Sequence, residues 1–266
     1  MIDSFGRLVN YLRISVTDRC NLRCQYCMPD GLGRLLRHEE ILSFEEILEV
    51  AQAGVGLGFT KVRLTGGEPL VRRDIEQLVA TLAKLEGIED LAMSTNGILL
   101  ADHADALAAA GLHRVNVSLD SIDPQRYAEI TGGGDLQRVL AGIEAAREAG
   151  LVPIKLNCVV TGLSAEPDAR AVAQFGRENS LKVRFIHMMD FPTGKFSVVE
   201  GGTGGDCPRC NRIRLSSDGM VRPCLFSDLA FNVREMGAAG ALEQGILEKP
   251  AAGNPCTHNW MHGIGG

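Results

Sequence analysis

From Leu8 to Asp190 the sequence alternates short runs rich in β-branched residues with longer segments of helical periodicity. This alternation predicts repeated strand–helix units, and therefore an α/β fold built on a parallel sheet. Six strands are predicted, at Asn10–Thr17, Lys61–Thr65, Asp90–Thr95, Arg114–Leu119, Pro153–Val160 and Lys182–Met188. Five amphipathic helices are predicted between them, at Phe44–Leu57, Asp74–Leu85, Asp102–Ala110, Leu136–Ala149 and Pro167–Asn179. Because a closed barrel needs eight such units, these six predict a partial, open (β/α)6 barrel.

The regular alternation stops after Asp190, where FPTGKFSVVEGGTGGD carries five glycines in sixteen residues. It has no helical period, so residues 191–206 are predicted to form a linker. Residues 207–266 are rich in Gly, Pro and Cys, with weak helical segments at Leu229–Met236 and Ala238–Ile246. We therefore predict a barrel at residues 1–190, the linker at 191–206, and a short C-terminal iron–sulfur segment at 207–266. A segment this short needs a bound metal to stabilise its fold.

Composition excludes several classes of function. The formal net charge is -6 over 266 residues, so no diffuse basic field would attract nucleic acid. No stretch approaches the roughly 20 apolar residues that cross a bilayer, and the N-terminus has no apolar signal sequence. We expect a cytoplasmic protein without a membrane or nucleic-acid partner, and a homodimer stays open. In that compartment, eight cysteines indicate metal binding rather than disulfides.

Three cysteines, Cys20, Cys24 and Cys27, follow the first predicted strand at the spacing C-x3-C-x2-C. In parallel barrels, reactive groups stand on the loops at the carboxyl ends of the strands. Three thiolates on one loop can hold three irons of a cubane cluster and leave the fourth iron open for another ligand. The alternative is a zinc site with a distant fourth ligand, although zinc sites usually have a matching second cysteine pair.

A second triad lies in the tail, where Cys207, Cys210 and Cys224 have the spacing C-x2-C-x13-C. A zinc ribbon completed by Cys256 or His258 would use the same three thiols. Spacing alone does not separate that zinc site from an iron–sulfur cluster, so both interpretations stay open at this level.

The first triad, with Tyr26 before its last cysteine, resembles that of the radical S-adenosylmethionine (radical SAM) superfamily. RLTGGEP after the second strand matches the superfamily's GGEP motif, and its glycines let the backbone approach a ligand closely. Longer matching stretches are YLRISVTDRCNLRCQYCMP, KVRLTGGEPLVRRD, NVSLD, CNRIRL, RPCLF and the terminal Gly265-Gly266. Together they resemble one family, the GTP 3′,8-cyclases that begin molybdenum cofactor biosynthesis.

The resemblance implies two 4Fe–4S clusters, one on each cysteine triad, and S-adenosylmethionine as a further cofactor. The S-adenosylmethionine contacts it implies are Tyr26, Gly67, Ser118 and Met189. The GTP contacts it implies are Arg13, Arg63, Ser94, Lys155, Arg212, Ile213 and Arg214. The catalytic residues it implies are Cys20, Cys24, Cys27, Arg212 and Arg214.

The implied activity is that of a lyase, which converts GTP into 3′,8-cyclo-7,8-dihydroguanosine 5′-triphosphate. The deoxyadenosyl radical removes the C3′ hydrogen of the ribose, and the carbon radical then attacks C8 of guanine. The implied partners are a reducing electron donor and the next enzyme of the molybdopterin pathway, cyclic pyranopterin monophosphate synthase.

Three of the implied GTP contacts, Arg13, Arg63 and Lys155, lie within predicted strands. Basic residues are usually solvated on a surface, but an unpaired charge inside a parallel barrel is expensive. Arginine binds phosphate through two parallel hydrogen bonds. A triphosphate is therefore a sensible partner for these side chains.

Only sixteen residues separate Asp190 from Cys207, where family members carry a longer segment. The alternatives are another radical SAM enzyme with an auxiliary cluster, for example one acting on peptides, and a shortened, non-catalytic paralogue that binds nucleotide or metal. The arginines of CNRIRL disfavour the first, and the complete set of cluster cysteines disfavours the second. We further predict that the second cluster keeps an open iron for guanine, because Cys256 lies thirty-two residues beyond Cys224.

Overall fold

The computed structural model describes residues 1–28, 34–162, 164–257 and 264. The strands in these ranges are β1 (Tyr11–Ser15), β2 (Lys61–Thr65), β3 (Asp90–Thr95), β4 (Arg114–Ser118), β5 (Lys155–Val160), β6 (Lys182–His187), β7 (Arg212–Leu215), β8 (Met220–Arg222) and β9 (Phe231–Asn232). The α-helices are α1 (Phe44–Gly56), α2 (Ile75–Leu82), α3 (Leu100–Ala109), α4 (Pro124–Thr131), α5 (Leu136–Glu148), α6 (Pro167–Glu178), α7 (Val233–Met236) and α8 (Ala238–Leu247). The six predicted barrel strands are confirmed as β1 to β6.

One sheet contains all of these strands, in the order β6-β5-β4-β3-β2-β1-β7-β8-β9. Strands β1 to β7 pair in parallel, and β8 and β9 continue the sheet in antiparallel pairing. The sequence did not predict β7, which is only four residues long. Its two arginines alternate with the buried Ile213 and Leu215, but two such repeats are too few to give a strand signal.

The tail shares the core of the barrel. Ile213 and Leu215 of β7 and Leu242 of α8 are fully buried in one apolar cluster with side chains of β1 to β5. Helix α8 packs on α1, with Leu242 facing Gly54. The predicted boundaries at residues 190 and 206 stay predictions, and so does the tail's need for a metal. The barrel strands and the tail strands belong to one sheet.

Helix α1 begins as the sequence indicates, at a capping box. The hydroxyl of Ser43 accepts a hydrogen bond from the backbone N–H of Glu46 at 3.2 Å, and the Glu46 carboxylate accepts one from the backbone N–H of Ser43 at 2.7 Å. Arg234 of α7 donates to the same carboxylate at 2.6 Å. A barrel helix is thereby tied to the tail.

Helix α4 was not predicted. It begins at Pro124 after the capping residue Asp123, whose side chain accepts from the backbone N–H of Arg126. Its buried residues are only Tyr127 and Thr131, so its apolar face is too narrow to give a periodic signal.

The linker contains no helix, as predicted, and its regular pairing is limited to isolated bridges of Lys195 with Asp190 and of Glu200 with Phe185. It therefore runs from the end of β6 along the edge of that strand towards β7. Within the described ranges, no helix has both the length and the apolar character needed to cross a bilayer.

Candidate active site

Two adjoining cavities lie among the inward-facing side chains of the strands and the loops that follow them. The smaller has a volume of about 200 Å³ and is lined by the first cysteine triad. The larger has a volume of about 400 Å³ and is lined by the second triad and by most of the basic strand residues. Both cavities are bordered by Asn157, Ile186, His187 and Met189. A molecule in one cavity would therefore lie directly beside a molecule in the other.

The first triad lies on the loop after β1, where the carbonyl of Cys24 accepts hydrogen bonds from the N–H groups of Cys27 and Met28, both at 3.0 Å. Burial raises the pKa of Cys24 and of Cys27 to about 12. These thiols keep their protons at neutral pH unless a metal displaces them. The donor set fits an iron–sulfur cluster, which binds cysteine as thiolate.

Tyr26, between two of these cysteines, is fixed by the loop after β4. Its hydroxyl donates to Asp120 at 2.8 Å, and the other oxygen of Asp120 accepts from the backbone N–H of Val159 at 2.7 Å. Burial raises the pKa of Asp120 to about 6. The implied S-adenosylmethionine contacts Tyr26 and Ser118 both line the smaller cavity. Asp120, which positions Tyr26, was not among the predicted site residues.

The GGEP turn packs against the cysteine loop. The N–H of Gly67 donates to the carbonyl of Thr17 at 2.8 Å, and a Cβ at Gly67 would lie 2.3 Å from the carbonyl oxygen of Arg19. The close backbone approach predicted for this turn is therefore made to the chain itself. The next residue, Glu68, accepts from the hydroxyl of Thr95 at 2.8 Å and from the N–H of Asn96 at 2.6 Å. These contacts brace the loop that carries the first triad.

The larger cavity has a layer of arginines set by strand register. Arg13 of β1 lies between Arg63 of β2 and Arg214 of β7, opposite both. Two strands beyond Arg63, the same register reaches Arg114 of β4 through Ala92 of β3. All four arginines line the cavity. Parallel pairing has therefore brought like charges side by side.

Burial lowers the pKa values of Arg13, Arg63 and Lys155, and the neighbouring positive charges lower them further. The pKa of Arg13 and of Arg63 is lowered to about 9, and that of Lys155 to about 8. The Nε atoms of Arg63 and Arg184 are buried without a hydrogen-bond partner among the described residues. An anion with several oxygens would relieve both the charge repulsion and these unmet donors.

The second triad opens onto the same cavity. Cys207, Cys210 and Cys224 all line it. Burial raises the pKa of Cys210, but the nearby Lys249 and Arg212 outweigh that effect and leave its pKa lowered. In the ranges described, no group of three or more His, Cys, Asp and Glu side chains is arranged to hold a metal ion.

Cys256 is near this triad, but its side chain packs in an apolar cluster and not in the cavity. Its side chain is buried in an apolar cluster with Phe191 and Phe226, against which Cys224 also packs. Its backbone N–H donates to the carbonyl of Phe191 at 3.1 Å. Cys256 does not line the larger cavity. His258, Gly265 and Gly266 lie outside the described residues.

The linker walls the larger cavity. Phe196 stacks on Phe226 with ring centroids 4.6 Å apart, and the backbone from Gly202 to Gly205 borders the cavity. Arg212 donates from Nη2 to the hydroxyl of Thr203 at 2.9 Å. A short segment thus forms one wall of the cavity and holds a predicted GTP contact.

Most of the predicted ligands fall into two groups. The S-adenosylmethionine contacts Tyr26, Gly67, Ser118 and Met189 line the smaller cavity. The GTP contacts Arg13, Arg63, Lys155, Arg212 and Arg214 line the larger one. Ser94 borders the smaller cavity rather than the larger one, and the Ile213 side chain faces the core, so only its backbone is available to a ligand.

Sequence reasoning missed several residues of the larger cavity, namely Tyr11, Lys61, Arg114, Arg184 and Lys249. Tyr11, Lys61 and Arg184 lie on strands two residues away from a predicted ligand or from another cavity residue, and Arg114 is the first residue of β4. Extending the two-residue alternation from Arg13 or Arg63 would have found Tyr11 and Lys61. No local pattern marks Lys249.

Comparison with known proteins agrees with this arrangement. Residues 14–170 match the model of the radical SAM superfamily. A solved structure, native anSMEcpe with bound AdoMet and Kp18Cys peptide, has a TM-score of 0.63 and 16% identity, covering 91% of this chain and 81% of that one. That likeness shows the fold. The fold and the cysteine loop therefore define a radical SAM protein, a class that uses S-adenosylmethionine and a 4Fe–4S cluster.

Curated relatives narrow the class. The GTP 3′,8-cyclase of Peptoclostridium acidaminophilum is 40% identical over 290 aligned positions, covering 92% of this chain and 87% of that protein. The GTP 3′,8-cyclase of Alkaliphilus oremlandii is 41% identical over 273 positions, covering 86% and 84%. The chain belongs to the GTP 3′,8-cyclase family of radical SAM proteins. Both alignments are longer than the 266 residues of this chain, so the relatives carry segments that it lacks.

Proposed function

We propose that this chain is a lyase that cyclises GTP to 3′,8-cyclo-7,8-dihydroguanosine 5′-triphosphate, the first step of molybdenum cofactor biosynthesis. The observation that carries the proposal is the arginine layer of Arg214, Arg13 and Arg63 in the cavity between the two cysteine triads. Together with Arg114 and Lys155, which also line this cavity, these side chains can balance the roughly four negative charges of a triphosphate and no longer repel one another. The family relationship makes GTP the triphosphate of choice.

The smaller cavity suits S-adenosylmethionine and the first cluster. When bound, these cofactors supply the 5′-deoxyadenosyl radical that opens the reaction at C3′ of the ribose. Cys20, Cys24 and Cys27 would hold the cluster, while Asp120 fixes Tyr26 beside it. The adjoining larger cavity would keep the ribose of GTP close to that radical and away from solvent.

We place the triphosphate on Arg13, Arg63 and Lys155 and assign Arg212 and Arg214 to the end of GTP nearest the second triad. A second 4Fe–4S cluster on Cys207, Cys210 and Cys224 would then face the guanine. Support for this orientation comes from the shared lining of one cavity by the second triad and the two arginines of β7.

The linker has a defined part in this proposal. Phe196 and the backbone from Gly202 to Gly205 would replace, as a cavity wall, the longer segment of the relatives. A wall is needed because a carbon radical is quenched by S–H or weak C–H groups of other molecules that reach it from solution. The remaining partners, a reducing electron donor and cyclic pyranopterin monophosphate synthase as acceptor of the product, belong to the same proposal.

Anaerobic reconstitution with iron and sulfide, followed by assay of 5′-deoxyadenosine with and without GTP, tests this function. We expect production to rise with GTP and the cyclised triphosphate to appear by mass spectrometry. Cys24→Ala is expected to abolish both products, because two thiolates no longer hold the cluster with one open iron. The surface variant Arg138→Ala serves as a control, since Arg138 pairs with Asp102 outside both cavities. Formation of 5′-deoxyadenosine that ignores GTP but responds to a peptide would contradict the proposal.

A further inference from the structure

Lys249, just after α8, is buried beside the second cysteine triad. Only 3% of the residue is exposed, and it lines the larger cavity. Its ammonium donates to the carbonyl of Arg212 at 2.7 Å and to the carbonyl of Pro223 at 2.6 Å. Arg212 follows Cys210 by two residues, and Pro223 precedes Cys224. One side chain therefore joins the two backbone segments that carry these cysteines.

Within the ranges that the structure describes, no carboxylate pairs with the ammonium of Lys249. Among the described residues, the groups that act most strongly on its ammonium are the thiols of Cys210 and Cys224, together with Arg7, which repels it. No ion pair with Asp or Glu forms within that part of the chain. A buried ammonium without a counter-charge is costly, even when carbonyl oxygens accept its hydrogen bonds.

The backbone on both sides of this contact is held by Arg7. Its Nη2 donates to the carbonyl of Pro250 at 2.7 Å, and its Nη1 donates to the carbonyls of Ala251 at 3.1 Å and Cys207 at 2.9 Å. Asp3 pairs with Arg7 at 2.6 Å, so Arg7 has its own counter-charge. The position of Lys249 against the triad is consequently fixed from outside the cavity.

We propose that Lys249 is a positioning residue for the second cluster, which fixes the Cys210 and Cys224 segments and supplies a positive charge next to their thiolates. This inference rests on the proposed function, because it requires iron at the second triad. Cluster binding turns both cysteines into anions, which gives the buried ammonium a counter-charge that no described carboxylate provides. The same charge stabilises the added electron when the cluster is reduced, so it raises the reduction potential.

The test uses the full chain with Cys20, Cys24 and Cys27 all changed to Ala, so that only the second triad can load iron. Iron per chain and the midpoint potential, from redox titration followed by electron paramagnetic resonance, are measured for this parent and for three variants. Lys249→Met removes the charge, Lys249→Arg keeps it, and Lys84→Met is a matched control on an exposed lysine outside both cavities.

We expect Lys249→Met to move the midpoint potential to a more negative value and to lose iron faster to a chelator. Lys249→Arg is expected to remain near the parent potential, and Lys84→Met to equal it. Thermal unfolding of apo and loaded chains keeps the test valid if Lys249→Met is unstable. A greater loss of stability in the loaded chain supports the charge role, whereas equal losses would show a merely structural one and overturn it.

Two negative results are distinguishable. If the parent loads no iron, the second cluster fails, and the proposed GTP orientation and the role of Lys249 fail with it. If the parent loads iron but Lys249→Met has the same potential and the same iron retention, only the role of Lys249 is overturned.

Discussion

Arg13 of β1 and Arg214 of β7 lie opposite each other in register, and both face the larger cavity. Burial lowers the pKa of both side chains, to about 9 for Arg13 and about 10 for Arg214, and the charge of Arg214 contributes to the shift at Arg13. A fold that places two cations side by side is stabilised when an anion bridges them. In the proposed orientation this pair lies where the triphosphate on Arg13 meets the rest of GTP, so the affinity for GTP should be concentrated there.

Arg214→Ala should weaken GTP binding while sparing both clusters. Loss of one charged hydrogen-bonding group in a desolvated site costs about 1.5 to 3 kcal/mol, which corresponds to roughly a ten- to hundredfold higher dissociation constant. Arg212→Ala is expected to act in the same direction. Anaerobic calorimetry with GTP measures the change, and iron per chain checks the clusters. Unchanged affinity in both variants would remove these residues from the GTP site, and Arg138→Ala should match the parent.

Thr203→Val should raise the KM for GTP without changing iron content. The hydroxyl of Thr203 accepts from Arg212 at 2.9 Å, and the threonine carbonyl accepts at 3.3 Å, so the variant loses the shorter contact and keeps the longer one. One such hydrogen bond contributes about 0.5 to 1.5 kcal/mol, so KM should rise about two- to tenfold. Thr203→Ser retains the hydroxyl and should restore the parent value. Equal KM values for Val and Ser would show that the linker does not position Arg212.

GTP affinity should fall as the pH rises through about 8. Burial and the charges of Arg114 and Arg184 lower the pKa of Lys155 to about 8, so the ligand-free chain loses this positive charge above that pH. Between one pH unit below the pKa of Lys155 and one pH unit above it, the affinity for GTP should decrease by up to roughly tenfold, because binding above the pKa requires protonation of the amine. GTP itself also titrates in this range, but that contribution is the same for the parent and every variant. Lys155→Arg, whose side chain starts from a much higher pKa, should show a shallower decrease in calorimetry.

An identical pH dependence in the parent and in Lys155→Arg would exclude Lys155 as the titrating group. The effect of pH on the stability of the ligand-free chain has the opposite sign to its effect on GTP affinity. Since the folded pKa lies below the unfolded value of 10.5, the charge of Lys155 destabilises the ligand-free chain fully below about 8 and progressively less as the pH rises to the unfolded pKa.

Local sequence signals were sufficient for the barrel. Strand β2 was predicted to the residue because its run KVRLT is bounded by turns, and its inward Arg63 was recognised as a charge that needs a partner. Strand β7 was missed because it is only four residues long and lies in the Gly-, Pro- and Cys-rich tail, although the alternation of Ile213 against Arg212 determines which of them faces the cavity. Short strands take their identity from pairing, in this case with β1.

Contacts between distant segments were beyond the sequence. The hydrogen bond that Arg212 donates to Thr203 depends on how the linker crosses the barrel. Lys249 donates to a carbonyl thirty-seven residues away in the chain. Neither residue lies in a motif or follows a period. Such contacts arise from the packing of the whole tail, which single-sequence patterns do not encode.

Cys256→Ser should leave the second cluster and its open iron unchanged. Cys256 is packed with Phe191 and Phe226 and does not line the cavity that Cys207, Cys210 and Cys224 line. Iron per chain after anaerobic reconstitution should equal that of the parent, and electron–nuclear double resonance should retain the hyperfine coupling from labelled GTP. If the parent lacks this coupling and the serine variant changes the coordination of the cluster, Cys256 is a ligand and guanine does not reach the iron.

The central claim is that the radical formed at the first triad acts on GTP held by the arginine layer. Transfer of deuterium from GTP to 5′-deoxyadenosine tests this claim most directly. The reconstituted chain is given GTP deuterated at C3′ of the ribose and, in parallel, GTP deuterated at C5′, and the 5′-deoxyadenosine is analysed by mass spectrometry. We predict that it carries deuterium from C3′ and none from C5′. Formation of 5′-deoxyadenosine without deuterium from C3′ would contradict the proposed reaction, whatever cofactors the chain binds.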